Sequence, residues 1–159
     1  MTVKPGHSSI DYNRYEPLLL STKEQFERYW PQTKKLVDQC LRRATYGEFN
    51  VDDVHKLAVA QRAFVFIVKS DEGIQPDVKL VVVVEIVNYP NLAALNILAM
   101  AGSKLDIFYE KFWNKFCGWA YMNGARAIEG LVTPAMRRVI SKYGFKQTYV
   151  HMRLDLTEA

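Results

Sequence analysis

Two carboxylates stand inside apolar, strand-type runs of this chain: Glu85 in KLVVVVEIVN and Glu129 in RAIEGLV. Apolar surroundings raise the pKa of a carboxylate toward neutrality, which suits it to act as a general base near physiological pH. The competing reading of each is an ordinary outward-facing strand position. A second candidate is the run Leu98, Ala99, Met100, Ala101, Gly102, Ser103, Lys104, where an apolar strand ends in a glycine loop and a helix opens. The first N–H groups of a helix have no acceptor within it, so this junction is an anion site in outline. The other reactive types stand alone. Cys40 and Cys117 fall in helix-type segments without CxxC or Cys/His spacing, so they read as reduced structural thiols and no metal set emerges. His55 and His151 have no catalytic neighbour in the sequence, and His7 lies in an N-terminal stretch.

The elements that must position these groups follow from periodicity. Residues 1–20 hold Pro5, Gly6, Ser8, Ser9 and Pro17 without a sustained period and are expected to form an arm, with 21–159 as one domain. Proline is disfavoured in a helix interior, so Pro31 predicts a short turn at 22–29 and a helix over 31–45. Its stripe would be Leu36, Val37, Cys40, Leu41 and Ala44. Asn50 caps a second helix. Strands are expected at 63–69, 79–88, 93–100, 127–132 and 148–156, with the valine run at the centre of the sheet. A long aromatic helix over 105–123 and a short one starting at Pro134 complete the order. Strand, helix, strand predicts that the third and fourth strands run parallel. The fold class is therefore α/β, with a central mixed sheet flanked by helices on both faces.

Bulk properties exclude several classes. A chain of 159 residues, 49% hydrophobic and 24% charged, carries enough apolar material for a core. A net charge of +4, from 21 basic and 17 acidic residues, falls short of what electrostatic nucleic-acid binding needs. No secretory pattern and no apolar run of membrane-spanning length occurs, which points to a cytoplasmic protein or one packaged from a cytoplasm.

The strand ending at Ala101-Gly102, the helix end WAYMNGA at 119–125, the strand over 127–132 and the helix end KYGF at 142–145 together resemble the GNAT superfamily of acyl-CoA N-acyltransferases. The similarity is greatest to the GNAT-like proteins encoded by tailed bacteriophages and covers roughly residues 20–157. It implies acetyl-CoA as the cofactor, with Leu98, Ala99 and Met100 along pantetheine and the loop from Ala101 through Gly102 and Ser103 to Lys104 at the pyrophosphate. It also implies Glu85 or Glu129 as the base. The family loop has Gln or Arg, two residues, Gly, one residue, then Gly or Ala. Here Gly102 matches, Ala99 and Lys104 do not, and Ile140 replaces the tyrosine that protonates the leaving thiolate in many members.

Two expectations follow from this resemblance. The first is a phage GNAT-fold protein with a degenerate acetyl-CoA site, serving as a virion-associated or assembly component among other virion proteins, in the virion or the host cytoplasm. Exposed-capable aromatics such as Tyr12, Tyr15, Tyr29 and Trp30 suit such contacts. The second is an active N-acetyltransferase moving acetyl from acetyl-CoA to an amine. A homo-oligomer fits either, and the acceptor is not legible in the sequence.

Overall fold

The computed structural model describes residues 14–70 and 74–157, so His7, Tyr12 and most of the expected arm lie outside the described residues. Five strands form one sheet in the order β1 (Tyr15–Leu19), β2 (Phe64–Ser70), β3 (Val78–Asn88), β4 (Ala93–Gly102), β5 (Ala125–Gly130). All neighbours are antiparallel except β4 and β5, which run parallel. The valine strand β3 is central, as its unbroken apolar run requires, because both of its faces are covered.

The two faces hold two cores. Val65, Ile67, Val81, Val83 and Ala99 pack under α1 (Lys23–Ala44) and α2 (Val51–Val59). Val82, Val84, Leu95 and Met100 pack under the aromatic helix on the other side. That helix runs as α3 (Leu105–Ile107), a π-helical turn (Phe108–Phe112) and α4 (Trp113–Met122). The wide turn shifts the helix phase and lets Phe108, Tyr109, Phe112 and Phe116 all reach the core. A final helix, α5 (Pro134–Ser141), starts on a Thr133 cap whose hydroxyl accepts from the Met136 N–H. Asn50 and Asp53 form the reciprocal capping box that starts α2.

Three expectations fail, each for a tertiary reason. Pro31 does not split the first helix: α1 continues through it, with Tyr29, Thr33, Val37 and Leu41 buried on both sides of the missing N–H. The cost of an interior proline, about 3 kcal/mol, is offset by packing along the whole face. The arm ends earlier than expected, because Tyr15–Leu19 pairs with β2 from Tyr15 opposite Ser70 to Leu19 opposite Phe66. Pro17 is tolerated there because β1 lies at the sheet edge. The expected last strand at 148–156 is absent, and residues 145–157 carry no regular element. A strand exists only against a partner, and none runs beside this segment among the described residues.

Candidate functional site at the β4–β5 split

The site is built from one irregularity in β4. Val83 stands opposite Ala99 and Val84 opposite Ile97, so Leu98 is an extra residue in the ladder, a β-bulge. Pairing between β4 and β5 ends at the same place, with Ile97 opposite Gly130. Beyond it, residues 98–102 have β3 as their one strand neighbour, and no strand pairs with the other edge of β4 among the described residues. Gly130 marks the last close approach, since a Cβ there would meet the Ile97 carbonyl oxygen at 3.3 Å. An extended amide-bearing chain can add to such an edge as a strand does.

The two candidate carboxylates, 44 residues apart in sequence, meet at the mouth of this split. Glu85 stands opposite Asn96, and Asn96 stands opposite Glu129 on its other side. The three side chains form one row across β3, β4 and β5, on the face that carries Val81 and Val83. Each is half-buried. The Asn96 Nδ2 donates to Glu85 Oε1 at 3.0 Å, and the Tyr89 hydroxyl donates to Glu129 Oε1 at 2.5 Å. Donating to that carboxylate holds the Tyr89 hydroxyl above the ordinary tyrosine range. The row is two residues from the bulge, about 7 Å along a strand. Two proton acceptors therefore flank the point where β4 parts from β5. Sequence reading missed Asn96 and Tyr89; the signal for Asn96 was a lone amide inside the apolar run AALNILAM.

The loop is less open than its glycine suggests. The Ser103 N–H already donates to the Lys79 carbonyl at 2.7 Å. Lys104 takes a left-handed backbone, φ 66° and ψ 28°, directly before α3. That conformation explains why glycine is the favoured type at this point and why lysine is costly there. Asp106 in the first helical turn opposes an anion, whereas the Lys104 side chain favours one. Ala99 is buried under α1, Leu98 and Ala101 are partly buried there, and Met100 is buried on the opposite face. The free edge of β4 can pair with an extended chain that carries amides, while at the loop the Ser103 N–H is already committed to Lys79.

Ile140 is buried and cannot give a proton. Tyr143 stacks on Tyr109, with ring centroids 3.5 Å apart and planes within 3°, so it packs as the aromatic core requires. Tyr109 is the one buried side chain among the described residues whose polar atom has no hydrogen-bond partner. Burial first, then the nearby Tyr143 and Cys117, push its hydroxyl up from 10.0 to about 12. The folded state then keeps the proton that the unfolded chain releases. Stability is intact below pH 10 and falls as the pH rises toward 12. Tyr109→Phe removes this loss and also relieves an unpaired hydroxyl. Urea denaturation should show it more stable by about 1 kcal/mol at pH 7, with a larger gain at pH 11.

The remaining reactive groups have structural roles. The Cys40 Sγ sits 3.6 Å from the Met100 carbonyl oxygen, and burial raises the pKa of Cys117. His55 stacks on Trp30 at 4.8 Å. No group of three or more His, Cys, Asp or Glu side chains suited to a metal occurs among the described residues. No described helix is long and apolar enough to cross a membrane.

A parallel pair that opens at a bulge, inside a mixed sheet with helices on both faces, decides the fold. It is the fold of the GNAT acetyltransferases. An aminoglycoside acetyltransferase from an uncultured soil metagenomic sample, solved with sisomicin, superposes with a TM-score of 0.65 at 10% identity, over 91% of this chain and 98% of that one. An aminoglycoside N-acetyltransferase in complex with CoA gives 0.66 at 12% identity, over 89% and 94%. A predicted acetyltransferase with acetyl-CoA from Clostridium acetobutylicum gives 0.60 at 13%, over 89% and 96%. No protein-family model and no curated protein sequence matches the chain. At these identities the likeness establishes the GNAT fold alone.

Proposed function

We propose that the chain is an acetyl-CoA-dependent N-acetyltransferase, with the pantetheine arm along residues 98–102 of β4 and an amine acceptor at the Glu85, Asn96, Glu129 row. The observation that carries this reading is the coincidence of the Leu98 bulge, the end of β4–β5 pairing and the two flanking carboxylates. Bound acetyl-CoA supplies an activated acetyl thioester. Glu129 or Glu85 takes the proton as the amine nitrogen bonds to the acetyl carbon and the C–S bond breaks. Asn96 holds the Glu85 carboxylate, and Tyr89 holds that of Glu129, so both are oriented before the acceptor arrives. With Ile140 in place of an acid on α5, the departing thiolate takes its proton from water, and the protonated carboxyl group returns its proton to the hydroxide left behind.

Isothermal titration with acetyl-CoA tests the binding step without a choice of acceptor. Saturable heat and a rise in Tm are expected, since a ligand that binds the folded state stabilises it. No heat and no Tm change at millimolar acetyl-CoA would sink the proposal.

A second reading keeps the fold and drops the chemistry: a non-catalytic assembly component of a phage virion. Its support is the occupied loop, with the Ser103 N–H committed to Lys79 and Lys104 in the left-handed conformation, together with the buried Ile140. Absence of the protein from purified virions by mass spectrometry would remove it.

A further inference from the structure

The net charge of this chain is gathered in one place. Four of its 21 basic residues and none of its 17 acidic ones fall within residues 131–150, so the rest of the chain carries 17 of each sign. The four are Arg137, Arg138, Lys142 and Lys146, and all are exposed. None takes part in an ion pair among the described residues. Cations on a helix face are ordinarily solvated, but they are ordinarily interspersed with acids as well. α5 is fixed through the buried Ile140 and the Tyr143 ring stacked on Tyr109, while Arg137, Arg138 and Lys142 face water. Arg137 Nη1 donates to Gln147 Oε1 at 2.8 Å, which keeps the chain that follows α5 beside the helix.

Apolar side chains are set among these cations. Leu131, Val132, Tyr149 and Val150, within the same stretch, are 71%, 39%, 90% and 68% exposed, and Met152 and Leu154 beyond them are exposed too. Single apolar residues on a surface are unremarkable, whereas a group of them beside unopposed cations marks a contact. A nucleic acid would match the cations and offer its phosphates nothing to the apolar chains. A folded protein would need a shaped surface, and residues 145–157 carry no regular element. The interface of an anionic bilayer matches both: its headgroups attract the cations, the boundary beneath them takes the apolar chains, and it imposes no fixed shape.

We propose that residues 131–154 form a docking surface for an anionic lipid bilayer, with Arg137, Arg138, Lys142 and Lys146 at the headgroups and Tyr149 and Val150 inserted between them. The attraction is electrostatic at long range and apolar at contact, so the two contributions can be removed separately. The inference rests on this surface and not on the proposed activity.

Co-sedimentation of the full chain tests it, with vesicles of phosphatidylcholine alone and of phosphatidylcholine mixed with phosphatidylglycerol. Wild type should bind the mixed vesicles at least about 10-fold more tightly, and lose that preference at high salt. Arg138→Gln, Lys142→Gln and Lys146→Gln combined should bind the mixed vesicles at least about 10-fold more weakly than wild type. Tyr149→Ser combined with Val150→Ser should bind them about threefold or more weakly. Both variants change exposed positions alone, so each should keep the wild-type Tm. Four results would overturn the proposal: no binding of wild type to the mixed vesicles, equal binding to both kinds, either variant binding as wild type does, or duplex DNA bound more tightly than the mixed vesicles, which would make the surface a nucleic-acid site.

Discussion

Replacing Glu85 and Glu129 together by glutamine is expected to lower kcat for acetyl transfer by about 100-fold or more, within the usual range for removal of a general base. Acetyl-CoA affinity should stay within about threefold, because the proposed pantetheine edge is residues 98–102 of β4, and the row stands two residues before it. The measurement is thiol release from acetyl-CoA, with whichever amine of a small panel the wild type acetylates. Each single variant separates the roles: the base gives the large loss, and its partner gives a modest one. A structural role for the row would instead lower Tm without moving the pH profile of kcat. If the double variant turns over at the wild-type rate, with an unchanged pH profile, neither carboxylate is the base. Placing a base beside the reacting carbon contributes to rate mainly through positioning, so Asn96→Ala should raise KM or lower kcat through the freed Glu85 carboxylate.

Gly102→Ala should destabilise the fold by about 3 kcal/mol or more, read as a lower urea midpoint. Gly102 has φ +113°, and a Cβ built on it would stand 2.2 Å from the Lys79 carbonyl oxygen. That atom also accepts the Ser103 N–H, so it cannot retreat without opening the β3–β4 end and the loop together. Gly47→Ala is the control. Gly47 has φ +96° with nothing within 4 Å of its Cβ, so it reports backbone strain alone, about 1 kcal/mol. A Gly102 variant no worse than the Gly47 variant would mean that the chain relaxes around the contact. The result bears on the reading of the loop: Gly102 is required for the approach of β4 to β3, whether or not an anion ever binds there.

Much of the architecture was legible because periodicity reports burial. The valine run placed β3 at the centre, the aromatic stripe placed the long helix against a sheet, and strand-helix-strand order made β4 and β5 parallel. Residues 15–19, Pro31 and 148–156 were misread for one reason. Local preference describes a segment alone, while an edge strand, a proline-containing helix and an unpartnered tail are decided by neighbours.

Glu85, Glu129 and the loop at 98–104 were visible as types, but not as a site. Nothing in the one-dimensional chain says that Asn96 lies between the two carboxylates, or that the ladder gains a residue at Leu98. By itself the sequence determined the element order from α1 to α5, the two-faced burial of the sheet and the glycine at the end of β4, because side-chain period and backbone freedom are local properties. The tertiary structure alone decided where β4 parts from β5, which polar groups meet at that split, and that the last strand-patterned segment has no strand partner among the described residues. Register and pairing arise from contacts between residues far apart in sequence, and no local signal carries them.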